Sequence, residues 1–402
     1  MKKKFPGARA IQCGPGREIH RAGTLIVSPW KRVENPYLVV ENAIITGISK
    51  TKPGSAVYDH GPGVLMPGLV NAHVHLELTA LKHKIPFDSG FQAWVTALLK
   101  ERKAAGTEVL TLGAQQGLDD LINSGAPFAA EISTLGITKA CVSASSLSGI
   151  WFHEVLGSKD NAESLIKNSS AAFFKDPRGK MDVSAAGHAP HTSSPGLLKT
   201  LKQNTSMKGL FFSIHGAESR EESAFITGAK GEWADFLKER GIDFSTWPVP
   251  CKSEIQYLDR LNLLDGKTIV VHLLNCSTGD FELMAEKRVK PVVCPRSNDC
   301  LHARLPDLHG MLKMGLKPAL GTDSLASNDS LSMFDEMAFV SEKFPDISPE
   351  TVFSMATMNG ASALGIEKRA GSLEPGKKAV FSYLPLKPAS LNDFLEKVTH
   401  YA

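Results

Sequence analysis

Two histidines at alternate positions, His73 and His75, close the apolar run Val64-Leu-Met-Pro-Gly-Leu-Val-Asn-Ala-His-Val-His, with Glu77 just beyond. The run reads as a buried β-strand, and in a strand the side chains at i and i+2 point the same way. His73 and His75 therefore project side by side while Val74 turns into the packing behind. Two imidazoles at that spacing can grip one metal ion. A single histidine ending a strand is usually an ordinary polar residue; a His-x-His pair is a donor set.

Polar residues recur at the ends of other strand-like runs. Gly187-His188-Ala-Pro-His191-Thr192 closes one, and Leu210-Phe-Phe-Ser-Ile-His215 is followed by Gly-Ala-Glu218. Thr268-Ile-Val-Val-His272 ends in a histidine, and Pro318-Ala-Leu-Gly-Thr-Asp323 ends in an aspartate followed by Ser324. Taken singly, a strand-end aspartate often caps the next helix and a buried histidine is often only hydrogen-bonded. Their joint appearance is harder to explain by capping. His73, His75, His215 and Asp323 offer three nitrogens and one oxygen. Zn²⁺ suits that set, with Fe²⁺ and Mn²⁺ as alternatives.

Such residues need a scaffold that brings strand ends together. Strand-like runs at 64–75, 127–133, 139–145, 181–188, 209–215, 267–273, 289–295 and 317–323 alternate with helical patterns such as Phe91–Lys103, Pro195–Gln203, Phe281–Val289 and Met333–Lys343. Eight strands with intervening helices in about 300 residues predict an α/β fold, a (β/α)8 TIM barrel with its site at the C-terminal strand ends. Ala319 and Gly321, on the face of Asp323, are small enough for a crowded barrel centre. The stretch 230–266, with Trp233 and Trp247, is long for a connection and predicts a helix plus a covering loop. Short strands at both ends (Ala22–Ser28, Tyr37–Ile45, Ala379–Leu384) predict a small β-sandwich-like domain built from residues 1–63 plus 370–402, with the catalytic barrel at 64–369.

Composition narrows the class. The 402 residues are 42% hydrophobic and 22% charged, as in ordinary globular proteins. The net charge of +3 is scattered, which argues against a nucleic-acid partner. No apolar run reaches the roughly eighteen residues of a membrane span. Met1-Lys-Lys-Lys4 is followed by Pro6, Gly7 and Arg9 rather than by the apolar core of a signal. The six cysteines form no CxxC pair, so reduced thiols in a cytoplasmic protein are expected. The expected partner is a small-molecule substrate; a homo-oligomer is left open.

The ordered set His73-x-His75, His215 with Glu218, His272 and Asp323 resembles the amidohydrolase superfamily, in its mononuclear deaminase branch. The resemblance runs over nearly the whole chain. It includes Pro67-Gly-Leu-Val-Asn-Ala-His73, Leu320-Gly-Thr-Asp-Ser-Leu-Ala-Ser-Asn-Asp329 and Gly371-Ser-Leu-Glu-Pro-Gly-Lys-Lys-Ala379. It implies a hydrolytic deaminase in which one divalent metal, held by His73, His75, His215 and Asp323, lowers the pKa of water to about 7. Asp323 then takes a proton from the water, His272 steadies the tetrahedral oxygen, and Glu218 protonates a ring nitrogen. Ala185-Ala-Gly-His188 lacks the lysine that two-metal members carry there, which implies a single ion.

Within that branch, Gly187-His188-Ala-Pro-His191 is similar to the loop of adenosine-derivative deaminases, which makes His188 a nucleoside contact. Cys294-Pro-Arg-Ser-Asn298 and His75-Leu-Glu77 look most like aminofutalosine deaminases of menaquinone biosynthesis. The expected substrate is 6-amino-6-deoxyfutalosine, with Glu77 and Ser324 at the substrate. Arg296 is expected on the substrate's benzoate carboxylate, and Arg102 and Arg304 are the reserves. S-adenosylhomocysteine, methylthioadenosine or guanine deamination and s-triazine hydrolysis are the alternatives, followed by a non-catalytic relative. Phe91, Trp94, Leu98, Trp151 and Phe152 are either pocket cover or plain core.

Overall fold

A computed structural model describes residues 8–54, 56–87, 90–157, 173–239 and 241–400. Eight parallel strands follow one another in sheet order: Val70–Val74, Phe128–Ser133, Ser148–Glu154, Met181–Ala186, Phe212–Gly216, Thr268–His272, Lys290–Val293 and Ala319–Leu320. The expected (β/α)8 barrel is present. Their residues are nearly all buried, as strands packed on both faces must be. The last strand closes on the first: the Thr322 and Asp323 amides donate to the His73 carbonyl at 3.1 and 3.0 Å. Gly321 makes that closure possible, because a Cβ there would meet His73 Cβ and O at 2.8 Å. Asn71 adds a stitch. Its Nδ2 donates to Thr322 Oγ1 at 2.7 Å and its Oδ1 accepts from the Thr322 amide at 3.2 Å.

The terminal segments build two further sheets. One has the order Arg9–Gln12, Val380–Leu384, Val64–Pro67, Thr24–Ser28, Lys31–Glu34; the other has the order Ile44–Ser49, Tyr37–Glu41, Arg17–Arg21, Tyr58–Asp59. Leu25, Val27, Leu38, Val40, Leu65 and Phe381 form a core of their own between them.

Three expectations change. The run 64–75 is two strands: Val64–Pro67 pairs with Val380–Leu384 in a terminal sheet, and only Val70–Val74 enters the barrel. The chain turns at Gly68, where a Cβ would meet Pro127 Cγ at 2.5 Å. The segment 139–145 is not the third strand but carries a helix, Lys139–Ala144, and the strand is Ser148–Glu154. The physical reason was available: parallel strands need a crossover of a dozen or more residues, and only 134–138 would have joined 127–133 to 139–145. Finally, the helix Leu391–Thr399 leaves the terminal sheets and packs on the barrel's outer helices, with Phe394 edge-on to Phe353 at 5.8 Å. This strand and this helix move both edges of the 1–63 plus 370–402 module.

The helical pattern from Phe91 continues to Asn123, broken at Gly106, whose φ of 71° lies in the left-handed region. The segment 230–266 holds two helices, Glu232–Glu239 and Glu254–Arg260. Among the described residues no helix is long and apolar enough to cross a membrane.

Candidate active site

Three strand ends, the first, fifth and eighth, converge on the candidate donor set. His73 Nε2 lies 3.1 Å from His75 Nε2 and 3.3 Å from His215 Nε2. Asp323 Oδ1 stands 3.8 Å from His73 Nε2 and 3.7 Å from His75 Nε2. The other Asp323 oxygen is taken: Oδ2 accepts from the Ser297 and Ser327 hydroxyls at 2.7 and 2.9 Å. The aspartate therefore presents one free oxygen to the histidines. Burial first, then the neighbouring histidines, hold His73 and His215 well below the ordinary imidazole pKa, so both are neutral and carry a ligand lone pair. For Asp323 burial works upward but is outweighed by His75, His272 and His73, and the carboxylate stays ionised.

Imidazole nitrogens aimed at one another make poor hydrogen-bond partners, since one Nε2 cannot satisfy two others. They fit a cation. Nitrogens about 2.0–2.1 Å from a tetrahedral zinc lie roughly 3.3 Å apart, which matches the spacing found here. The residues present therefore suit a divalent ion held by His73, His75, His215 and Asp323.

His272 stands beside this set, its ring centroid 4.9 Å from that of His215. Asn298 Nδ2 donates to His272 Nδ1 at 2.9 Å, which leaves the proton on Nε2. That nitrogen faces Glu218 Oε1 at 3.7 Å. Glu218 follows the fifth strand, and its backbone amide is anchored by Glu222 Oε2 at 2.8 Å. Sequence reasoning missed its second partner: His302 Nε2 contacts Glu218 Oε1 at 3.3 Å. Burial raises the Glu218 pKa, but His272 and His302 outweigh it and bring it down to about 2. Non-glycine residues with positive φ gather at these strand ends: His188 (38°), Ala217 (55°), His272 (79°), Leu273 (60°) and Asp323 (57°). Each such residue costs on the order of 1–3 kcal/mol, and such strain collects where side chains must be aimed.

These groups open into a cavity of about 330 Å³. His75, His188, His215, Glu218, His272, Asp323 and Ser324 line it. His188 is oriented by Thr192, with Nδ1 to Oγ1 at 2.6 Å. Phe91, Trp94 and Leu98 also line the cavity, joined by Trp233, Phe236 and Leu237 from the 232–239 helix. Trp151 and Phe152 do not; they are buried in the third strand.

Two expected substrate contacts lie elsewhere. Arg296 is turned away from the cavity and ion-pairs with Asp329, with Glu336 at 3.9 Å and Asp335 at 4.0 Å. A guanidinium facing three carboxylates is already neutralised; the reserve Arg102 lies on the wall of the cavity. Arg304 donates to Asn275 Oδ1. Glu77 is fully engaged below the site, accepting from Ser133 Oγ and the Thr134 and Leu135 amides at 2.7, 3.1 and 3.0 Å. Conversely, Glu154 lines the cavity and was missed because the third strand had been placed one segment too early. His302 carried no signal, since it lies in no strand-end pattern.

The profile of the Amidohydrolase family matches residues 64–400. A 5'-deoxyadenosine deaminase of Methanosphaera stadtmanae is 29% identical over 362 residues, covering 85% of this chain and 79% of the relative. In fold, Helicobacter pylori aminofutalosine deaminase in complex with methylthio-coformycin superposes with a TM-score of 0.82 at 23% identity, covering 96% of this chain and 97% of that one. A zinc-bound adenosine deaminase from Xanthomonas campestris gives 0.80 at 22% identity, covering 97% and 90%.

Proposed function

The chain belongs to the amidohydrolase family and is a hydrolytic aminohydrolase, and on that premise we propose that it deaminates an adenosine-type nucleoside derivative, 6-amino-6-deoxyfutalosine first among them. The observation that carries the reading is Glu218 placed between His272 and His302, facing the same cavity as the metal-donor set. A deaminase of a purine-type ring must deliver one proton to a ring nitrogen and one to the departing amine. Two carboxylates at the reacting end of the cavity, Glu218 and Asp323, match that need.

A divalent ion in the donor set, zinc first, supplies the Lewis acidity that brings water's pKa to about 7. The chain's own residues do the rest. Glu218 is ionised before substrate arrives, so the proton it passes to the ring nitrogen comes from the attacking water. Asp323 Oδ1 takes the second water proton and releases it with the amine as ammonia. His272 Nε2–H faces the oxygen that becomes the product carbonyl and stabilises its developing charge. Asn298 keeps that tautomer in place. His188 holds the purine edge, and Ser324 lies beside Asp323 on the cavity wall.

The substituent beyond the sugar meets Leu98, Leu99, Phe236 and Ile242, with Arg102 as the cation on that wall. A benzoate suits this combination: its ring packs on apolar side chains and its carboxylate takes the guanidinium fork. The largely apolar character of the wall also favours a second reading, a methylthio- or deoxyadenosine with no carboxylate.

Metal-loaded protein is to be tested on aminofutalosine, methylthioadenosine, S-adenosylhomocysteine, 5'-deoxyadenosine and adenosine, following ammonia release and loss of the adenine absorbance. Preference for aminofutalosine that drops about tenfold or more in Arg102→Ala supports the carboxylated substrate. Equal use of uncarboxylated nucleosides by both proteins selects the second reading. No turnover of any adenosine derivative by the metal-loaded protein refutes both.

A further inference from the structure

Arg296 is turned away from the cavity yet is only 7% exposed, in a helix, Pro295–His302, that starts directly after the seventh strand. A buried ion pair is costly to desolvate, and an apolar side chain of similar volume often serves stability as well. What the pair can add is register between the two elements that carry its charges. Here those elements are the start of the helix and the loop after the eighth strand, which carries Asp329.

Both elements hold the reacting groups from behind. Ser297 Oγ donates to Asp323 Oδ2 at 2.7 Å, and Asn298 Nδ2 donates to His272 Nδ1 at 2.9 Å. These two residues follow Arg296 directly and are fully buried. From the loop, Ser327 Oγ donates to the same Asp323 oxygen at 2.9 Å. Asn328 Nδ2 donates to the Thr322 carbonyl at 2.9 Å and to Glu336 Oε1 at 2.8 Å, and its Oδ1 accepts from the Asp329 amide at 2.8 Å. The Arg296 amide closes the circuit on Glu336 Oε2 at 3.4 Å.

We infer that Arg296 is a positioning residue: through Asp329 it clasps the helix start to the loop, so that Ser297 keeps Asp323 Oδ1 turned to the histidines and Asn298 keeps His272 Nε2 turned to Glu218. A displacement of about 1 Å in a reacting group is enough to cost about a hundredfold in rate. The inference rests on the deaminase reading for its kinetic consequence and on the donor set for the rest.

The test removes the partner rather than the arginine. Arg296→Ala leaves Asp335 and Glu336 facing no cation, whereas in Asp329→Ala they still neutralise Arg296. Wild type, Asp329→Ala, Ser297→Ala and the double variant are compared, zinc-loaded on aminofutalosine and methylthioadenosine, and cobalt-loaded by visible absorption. Asp329→Ala should lower kcat by about tenfold or more on both nucleosides, with KM within about twofold. It should also shift the cobalt bands, which report the geometry of the donor set without substrate. In the Ser297→Ala background the same substitution should cost several-fold less and move the bands no further. Full multiplication of the two losses overturns the inference. So does a lower Tm with kcat and bands unchanged, which makes the pair structural only. A KM change confined to aminofutalosine returns Arg296 to the substrate and overturns it as well. Wild type that turns over neither nucleoside removes the deaminase reading, and the cobalt bands then decide the clasp alone: shifted in Asp329→Ala they support it, unshifted they overturn it.

Discussion

Two clusters of histidines sit in this molecule at similar spacings, and they are built for different purposes. In the terminal sheets His20 Nδ1 lies 3.0 Å from His60 Nε2, and His20 Nε2 lies 3.2 Å from Glu18 Oε2 and 3.1 Å from Cys13 Sγ. Arg9 Nη2 approaches His60 Nδ1 at 3.5 Å, and Glu18 Oε1 accepts from the Gly14 amide at 2.7 Å. One set of tautomers satisfies the whole chain: Arg9 donates to His60, His60 to His20, and His20 to Glu18. At the barrel mouth His73 Nε2 faces two other Nε2 atoms at 3.1 and 3.3 Å, and no placement of protons on neutral rings satisfies all three. Distance alone does not separate a metal site from a hydrogen-bond relay. Whether the donors and acceptors alternate does.

The sharpest way to break this contrast is to remove one member from each cluster. His73→Ala should lose bound metal, measured by elemental analysis, and lower deamination by about a thousandfold or more. His20→Ala should leave metal content and activity within about twofold, since the clusters share no partner. Metal retained in His73→Ala, or lost in His20→Ala, would erase the distinction.

Between the extremes stands Glu218, a carboxylate held by two histidines. Glu218→Gln should keep the metal and lose about 10²–10⁴ in kcat. Its pKa, down to about 2 because His272 and His302 outweigh burial, should rise when His302→Ala removes one of them. The sign follows: with less positive charge nearby the carboxyl protonates sooner, so the acid limb of kcat/KM moves to higher pH. An unmoved limb would show that His302 exerts no field on Glu218.

The smallest expected effect lies in the terminal relay. Burial, then His20 and Arg9, lower the His60 pKa from 6.5 to about 4. Between those values the unfolded chain binds a proton that the folded chain refuses, so stability falls as pH drops through that window. Tm scans from pH 7 to 4 should show this decline, and His60→Gln should flatten it. Parallel slopes in the two proteins would mean that His60 titrates freely.

The candidate donor set was legible because each member ends a short strand-like run, a local pattern that reports direction as well as identity. The third strand was not legible. The run 139–145 has one β-branched residue, Val142, and forms a helix, with Trp151 Nε1 donating to Thr138 Oγ1 just before it at 2.9 Å. Losing that strand also lost Glu154. Arg296 illustrates the opposite failure: its motif was visible, but whether its guanidinium meets substrate or Asp329, Asp335 and Glu336 depends on packing 33 to 40 residues away in sequence.

The sequence by itself determined the barrel and the family and singled out His73, His75, His215, Glu218, His272 and Asp323 as candidates, because strand periodicity and glycine-bounded turns act over a few residues. Only the tertiary structure decided which charges remain free to meet a ligand. Arg296 is neutralised, Glu77 is spent on a loop, and His302 is brought to Glu218 from 84 residues away. The reason is that a side chain's availability depends on what fills its remaining hydrogen bonds. In a barrel those partners come from distant strands, and no local pattern records them.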